Sequence, residues 1–168
     1  MIIRPEKPDD LSIIREINIS AFGEETEADL VDALRKSGIP LISLVAEENK
    51  TLIGHIMFSP VTIDNGCSNI SAAGLAPMAV LPGFQRKGVG SMLVKEGLEH
   101  CKQAGYSAVV VLGHPEYYPR FGFVHSVTYS IKSEYEVPEE VFMILELAEG
   151  ALKNCHGTVK YHECFMQL

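Results

Sequence analysis

The chain has 168 residues, 46% of them hydrophobic and 21% charged, and its 22 acidic against 14 basic residues leave a net charge of −8. That length and balance predict one folded domain with a substantial core and exclude disordered, collagen-like and charged-tail proteins. The acidity argues against broad nucleic-acid binding, which is built on counterion release by clustered Lys and Arg, but leaves room for one local basic pocket.

Met1-Ile2-Ile3-Arg4-Pro5 lacks a secretory h-region, and no segment reaches the ~18 apolar residues that span a bilayer. The expectation is a cytoplasmic protein without membrane attachment. Four cysteines, Cys67, Cys101, Cys155 and Cys164, form no C-x-x-C pair and no tight Cys/His cluster. Reduced, mostly buried thiols are therefore expected, with neither a zinc site nor a redox motif.

In chain order, Ile2 to Arg4 reads as a short strand stopped by Pro5. Pro8-Asp9-Asp10 offers a capping residue ahead of Leu11, Ile14, Ile17 and Ala21 at helical spacing. Glu24 to Lys36 repeats that period through Leu30, Ala33 and Leu34, with acids in its first turn and Arg35 and Lys36 at its end, as the macrodipole favours. Gly38-Ile39-Pro40 closes it. The period then becomes strand-like over Ile42 to Glu47 and Leu52 to Phe58 around a Glu48-Asn49-Lys50 turn, a hairpin that Val61 to Ile63 extends. Asp64-Asn65-Gly66 signals another turn before the apolar run Ile70 to Leu81.

Gly88 to Ala104 carries Val89, Met92, Leu93, Leu98, Cys101 and Ala104 on a helical stripe, and Ala108 to Leu112 is a continuous apolar strand. This strand-helix-strand unit demands a right-handed parallel crossover. An aromatic cluster, Tyr117 to Phe123, and two further strands, Val141 to Leu147 and Gly157 to Phe165, complete the chain. The prediction is a single α/β domain over residues 1–168, with a central mixed sheet of six to seven strands. Pairing changes from antiparallel to parallel near Ile70 to Leu81. The last strand offers an edge that could pair with a second copy in a homodimer.

Leu75 to Ser91 is an apolar strand feeding a cationic, glycine-bearing loop that opens a helix. Free amides at a helix start and the positive end of its dipole bind phosphate oxygens, glycines permit close approach, and Arg86 and Lys87 add charge. A Walker A loop from Gly83 to Gly88 fails, because Val89 and Gly90 stand where Lys and Ser/Thr are required. A dinucleotide G-x-G-x-x-G from Gly88 fails at Leu93 and lacks the acid for a ribose.

What fits is Gln85-x-x-Gly88-x-Gly90 after a strand carrying Met78 and Val80, which resembles the acyl-CoA pyrophosphate loop of the GNAT superfamily of N-acetyltransferases. The resemblance runs from about Ile2 to Phe123, with residues 124–168 as a C-terminal sheet extension. The string Gly113-His114-Pro115-Glu116-Tyr117-Tyr118-Pro119-Arg120-Phe121-Gly122-Phe123 is similar to a subgroup of predicted bacterial acetyltransferases. The resemblance implies acetyl-CoA as co-substrate, held by Met78, Val80, Gln85, Arg86, Lys87, Gly88, Val89, Gly90 and Ser91. It also implies Tyr118, four residues before Gly122, as the acid that protonates the departing thiolate.

Pro77 predicts a bulge or an edge, with the sheet splitting beside it and leaving the N–H of Met78 or Val80 for the ligand. No general base is readable: His55, His114, Glu24, Glu25 and Glu47 each also suit a structural place. Acids over Glu24 to Asp32 and Glu134 to Glu140 either favour a cationic amine acceptor or serve solubility. Without a paired His/Asn signature at Cys101 or Cys67, direct transfer to a small-molecule, peptide or protein amine is expected. The rival is a non-catalytic acyl-CoA-binding sensor.

Overall fold

The computed structural model describes residues 1–64, 67 and 70–167. The chain divides into two compact units: Met1–Ser59, Ala76–Glu99 and Glu163–Leu168 form the first, Pro60–Leu75 and His100–His162 the second. Three elements run from one unit into the other: strands β3 (Thr51–Asp64) and β4 (Ala72–Val80) and helix α3 (Val89–Gln103).

In the first unit β1 (Ile2–Pro5), β2 (Ile42–Glu48) and β3 pair antiparallel, Ile2 opposite Glu47 and Ile42 opposite Phe58. The β2–β3 turn is tight because Asn49 and Lys50 both take positive φ, 51° and 65°, the backbone that hairpin twist favours. Arg4 on β1 binds Glu47 at 2.8 Å and Asp10 at 2.7 Å. In the expected capping stretch Pro8-Asp9-Asp10, Asp10 accepts the Lys7 N–H at 2.7 Å and so closes a one-turn 3₁₀ segment, Pro8–Asp10, with no side-chain cap on α1 (Leu11–Phe22). Helix α2 (Thr26–Ser37) follows, and both helices end on left-handed glycines, Gly23 and Gly38. Ile14, Ile17, Val31, Leu34, Leu44, Ile56, Met57 and Phe58 are buried.

Two glycines let α3 lie close on β3. A Cβ at Gly54 would meet Leu93 Cδ1 at 3.0 Å and Val89 Cγ1 at 3.2 Å, and one at Gly97 would run into the Phe58 ring. This packing redraws the expected apolar stripe: Val89, Leu93, Val94 and Cys101 are buried, whereas Met92 is exposed.

The second unit is built on β5 (Ala108–Leu112), whose continuous apolar run suits a strand covered on both faces. It pairs parallel with β4, Ala72 opposite Ala108, and antiparallel with β8 (Phe142–Glu146), which also carries β6 (Val124–His125). The change from antiparallel to parallel pairing thus falls on β4 as expected. A second ladder joins the end of β3 antiparallel to β9 (Gly157–Lys160), which pairs parallel with β7 (Ile131–Ser133). Val61, Ala108, Val110, Ile131, Phe142, Ile144 and Val159 form one buried cluster.

The central sheet takes seven of the nine described strands, as the expected six to seven allowed, and the short β7 and β9 lie off its path. Two expectations are corrected. The final strand stops at Lys160, and Glu163–Gln167 is a 3₁₀ segment. Both edges of β9 are taken, by β3 and β7, so the edge expected to recruit a second copy is used within the chain. The Asn65-Gly66 turn signal lies outside the described residues.

Cys67 and Cys155, expected as reduced thiols, are joined in a disulfide, with Cα atoms 5.1 Å apart. The sheet brings the two cysteines near each other: Thr62 lies opposite Lys160, Ile63 opposite Val159 and Asp64 opposite Thr158, the last pair three residues from each cysteine. Gly157 keeps the strands close there: its φ is 135°, and a Cβ would collide with the Asp64 carbonyl oxygen.

Candidate active site

The loop singled out in the sequence opens α3 as predicted. Pro82–Phe84 makes one 3₁₀ turn, Arg86 takes φ 61° and Gly88 φ 87°, and the helix begins at Val89. The first intrahelical bond runs from Met92 N–H to Gly88 C=O at 3.1 Å, so the amides of Val89 and Gly90 fall in the turn whose donors a helix leaves without internal partners. A left-handed arginine costs roughly 1–2 kcal/mol, strain of the kind that collects at binding sites. Gln85, Arg86, Lys87 and Gly88 are all exposed.

Arg4, Arg15 and Arg35 each bind carboxylates at 2.7–2.8 Å. No such ion pair engages Arg86 or Lys87 among the described residues; Lys87 instead places its ammonium 5.7 Å from the Phe84 ring centroid. Like most of the chain's lysines and arginines they make no ion pair among the described residues, and they add positive charge beside the start of the helix.

The nine predicted loop and strand residues divide by what their side chains do. Gln85 turns back and donates from Nε2 to the Val80 carbonyl at 3.0 Å, tying loop to strand. Val89 is buried, so its side chain is withdrawn from the surface of the turn. Met78, Val80, Gly90 and Ser91 are half-buried. Leu81 N–H donates to Ile53 O at 2.9 Å, so by alternation the N–H groups of Met78 and Val80 point to the opposite edge of β4. The ladder from β4 to β5 covers Ala72 to Gly74 and stops three residues before Pro77.

Tyr118 belongs to the second unit, where it starts a 3₁₀ turn (Tyr118–Phe121) after β5. Its ring is 7% exposed and meets the rings of Tyr117 and Phe123 edge-on, centroids 5.1 and 5.7 Å away. Burial, reinforced by Tyr117, pushes its phenol up to about 12. The hydroxyl is therefore neutral at any physiological pH.

The base candidates separate cleanly. His55 is fully buried: Asn18 Nδ2 donates to its Nδ1 at 3.2 Å, and its Nε2 bonds Ser43 Oγ at 2.8 Å. Burial and the charge of Arg35 lower its pKa to about 3, so it is a neutral structural residue with both ring nitrogens occupied. Glu47 is held by Arg4, and Glu25 lies 3.8 Å from Arg15, which also binds Asp29 and Asp32. Glu24 and His114 are exposed, and the His114 carbonyl accepts the Tyr117 N–H. Among the described residues no group of three or more His, Cys, Asp and Glu is placed to hold a metal, and no helix is long and apolar enough to cross a membrane.

Sequence reasoning missed three supports. Gly113 makes room for the Tyr118 ring, Arg120 sits 4.5 Å over the Tyr117 ring, and Asn18 holds His55. Only Gly113 carried a signal, as the break after β5, and that signal pointed to a turn.

The Acetyltransferase (GNAT) domain family matches residues 2–126. The chain belongs to this family. It is 36% identical over 166 residues to the N-acetyltransferase YhbS of Escherichia coli K12, covering 98% of both chains. It is 40% identical over 134 residues to YjhQ of the same organism, covering 78% of this chain and 74% of that one. The E. coli YhbS crystal structure in complex with CoA superposes with a TM-score of 0.92 at 36% identity, covering 98% of this chain and 91% of that one. A GNAT acetyltransferase of Brucella melitensis in complex with acetyl-CoA gives 0.78 at 35% identity, covering 98% and 97%. The mixed sheet expected from the sequence is the GNAT fold, and the chain is an acetyltransferase of this family.

Proposed function

We propose that the chain transfers an acetyl group from acetyl-CoA to a primary amine by direct attack, with no acetyl group carried on the enzyme. The observation that carries this reading is the exposed turn at the start of α3, with left-handed Arg86 and Gly88 and two cations that no carboxylate engages among the described residues. Relatives crystallised with CoA and acetyl-CoA support it.

Acetyl-CoA supplies an activated thioester, which the amine attacks with release of the thiol. In this reading the amides of Gly88, Val89, Gly90 and Ser91 hold the pyrophosphate, with Arg86 and Lys87 adding charge and Gln85 fixing the loop to β4. Met78 and Val80 present backbone N–H groups to the pantetheine and to the thioester oxygen, where negative charge develops. The amine arrives neutral, its ammonium proton lost to solvent, and attacks the thioester carbonyl. Tyr118 donates its hydroxyl proton to the departing sulfur and is reprotonated by the proton that the amine nitrogen sheds, through solvent, as the amide forms.

A cysteine route is poorly supported. Cys101 is fully buried, and burial pushes its thiol up to about 12, while Cys67 and Cys155 are bonded to each other. We take both units as parts of one catalytic domain, because β3, β4 and α3 each run through both.

Acetyl-CoA-dependent release of free thiol across a panel of small amines, polyamines and lysine peptides tests this function. Turnover with at least one class is expected. CoA binding by calorimetry with no turnover across the panel would replace the enzyme with an acyl-CoA sensor.

A further inference from the structure

Gly113 follows β5 directly, and its N–H continues the ladder by donating to Val141 O at 2.9 Å. Its φ is not in the left-handed region, so the backbone there suits alanine as well as glycine. What demands glycine is space. A Cβ would run into Tyr118 Cε2, with Cδ2 at 2.9 Å and Cζ at 3.3 Å, so the phenol ring lies against the bare Cα.

The ring has little room to yield. Tyr117 and Phe123 meet it edge-on, and Phe121 lies 6.4 Å away. Gly122, left-handed at φ 97°, ends the 3₁₀ turn ahead of Phe123. Tyr117 is itself pinned: Arg120 covers its ring at 4.5 Å and donates from Nε to its carbonyl at 2.9 Å. A methyl at 113 would therefore push the ring, and the hydroxyl at its end, away from β5.

We propose that Gly113 is a positioning residue for the transfer reaction: its missing side chain is the slot that fixes where the Tyr118 hydroxyl stands. This rests on the reading of Tyr118 as the proton donor. A displacement of about 1 Å at a donor can cost on the order of 10²-fold in rate.

The experiment is a pair of double-mutant cycles. In the first, Gly113→Ala is measured by thermal unfolding in the wild-type and Tyr118→Ala backgrounds. Overpacking should lower Tm by about 3–10 °C in the wild type, and removing the ring should abolish most of that shift. Equal shifts in both backgrounds would overturn the slot without reference to activity. If Gly113→Ala alone does not fold, recovery of a folded chain in the double variant carries the same information.

In the second, thiol release from acetyl-CoA is followed with the amine the wild type acetylates fastest. Gly113→Ala should lower kcat by about 10–100-fold with KM for acetyl-CoA within about 3-fold, and should cost nothing further in the Tyr118→Phe background. A fall in kcat for Tyr118→Phe but not for Gly113→Ala would overturn the positioning role alone. An unchanged kcat for Tyr118→Phe, with chemistry rate-limiting, would overturn the proton-donor reading, while the stability cycle would still report on the slot.

Discussion

Mild acid should destabilise this protein through His55, and by an amount that separates a structural histidine from a catalytic one. In the folded chain the imidazole has a pKa of about 3, against 6.5 for a free side chain, because burial, seconded by the Arg35 charge, opposes its protonation. Below pH 6.5 the unfolded chain takes up a proton that the folded chain refuses, so stability present at neutral pH is lost as the pH falls toward 3. At about 1.4 kcal/mol per unit, this loss is ~2 kcal/mol by pH 5 and ~4 kcal/mol if the fold survived to pH 3. His55→Gln keeps an acceptor for Asn18 and a donor for Ser43 but does not titrate. Urea unfolding followed by circular dichroism from pH 8 to pH 5 should show the wild type losing ~2 kcal/mol more than this variant, with other titrating groups common to both. Equal losses would refute the assignment. So would a His55→Gln chain that folds with wild-type stability and has no turnover, since that would make His55 the missing base.

Tyr118→Phe retains the ring packing and deletes only the hydroxyl, so kcat should fall by about 10²–10⁴-fold with CoA affinity nearly intact. With its phenol held at about 12, Tyr118 should produce no fall in the wild-type kcat–pH profile below about pH 10. Gly88→Val meets no atom within 4 Å but forces a β-branched residue to φ 87°; the strain, about 1–3 kcal/mol, should weaken CoA binding at least ~10-fold by calorimetry, and normal affinity would sink the loop assignment. Thiol titration of the unfolded, unreduced chain should find Cys101 and Cys164 reactive and two more thiols after reduction. The closed loop, with its ends separated by 88 residues, stabilises by up to about 4–5 kcal/mol, which Cys155→Ser should forfeit under non-reducing conditions only; four reactive thiols before reduction would refute the pairing.

Much of the frame is visible in local pattern. The change of period at Leu41, the hairpin turn at Asn49-Lys50 and the apolar runs of β5 and β8 each follow from a few adjacent residues. The loop at Gln85 to Gly90 was legible for the same reason, since a helix start and its glycine lie within one short segment. What stayed hidden depends on partners far along the chain. Met92 falls on the helical stripe by spacing, yet it is exposed, because Gly97 admits the Phe58 ring and turns the buried face toward Val94. Cys67 and Cys155 look unrelated until the β3–β9 register is known. His55 reads as a candidate base until Asn18 and Ser43 are seen on its two nitrogens.

The charge of the chain changes meaning once partners are assigned. The acidic run Glu24 to Asp32 first suggested a field for a cationic acceptor, but Arg15 binds Asp29 and Asp32 at 2.8 Å and lies 3.8 Å from Glu25. Glu134, in the second acidic stretch, accepts the Tyr161 N–H at 2.6 Å. The carboxylates that Arg15 engages steer a cation less than a bare count of acids implies, because its charge offsets part of theirs, whereas Glu134, bonded to a neutral amide, keeps its charge. Arg86 and Lys87 keep an uncancelled charge beside the helix start. The local charge at the start of α3, rather than the net −8, is therefore what bears on the proposed anionic co-substrate.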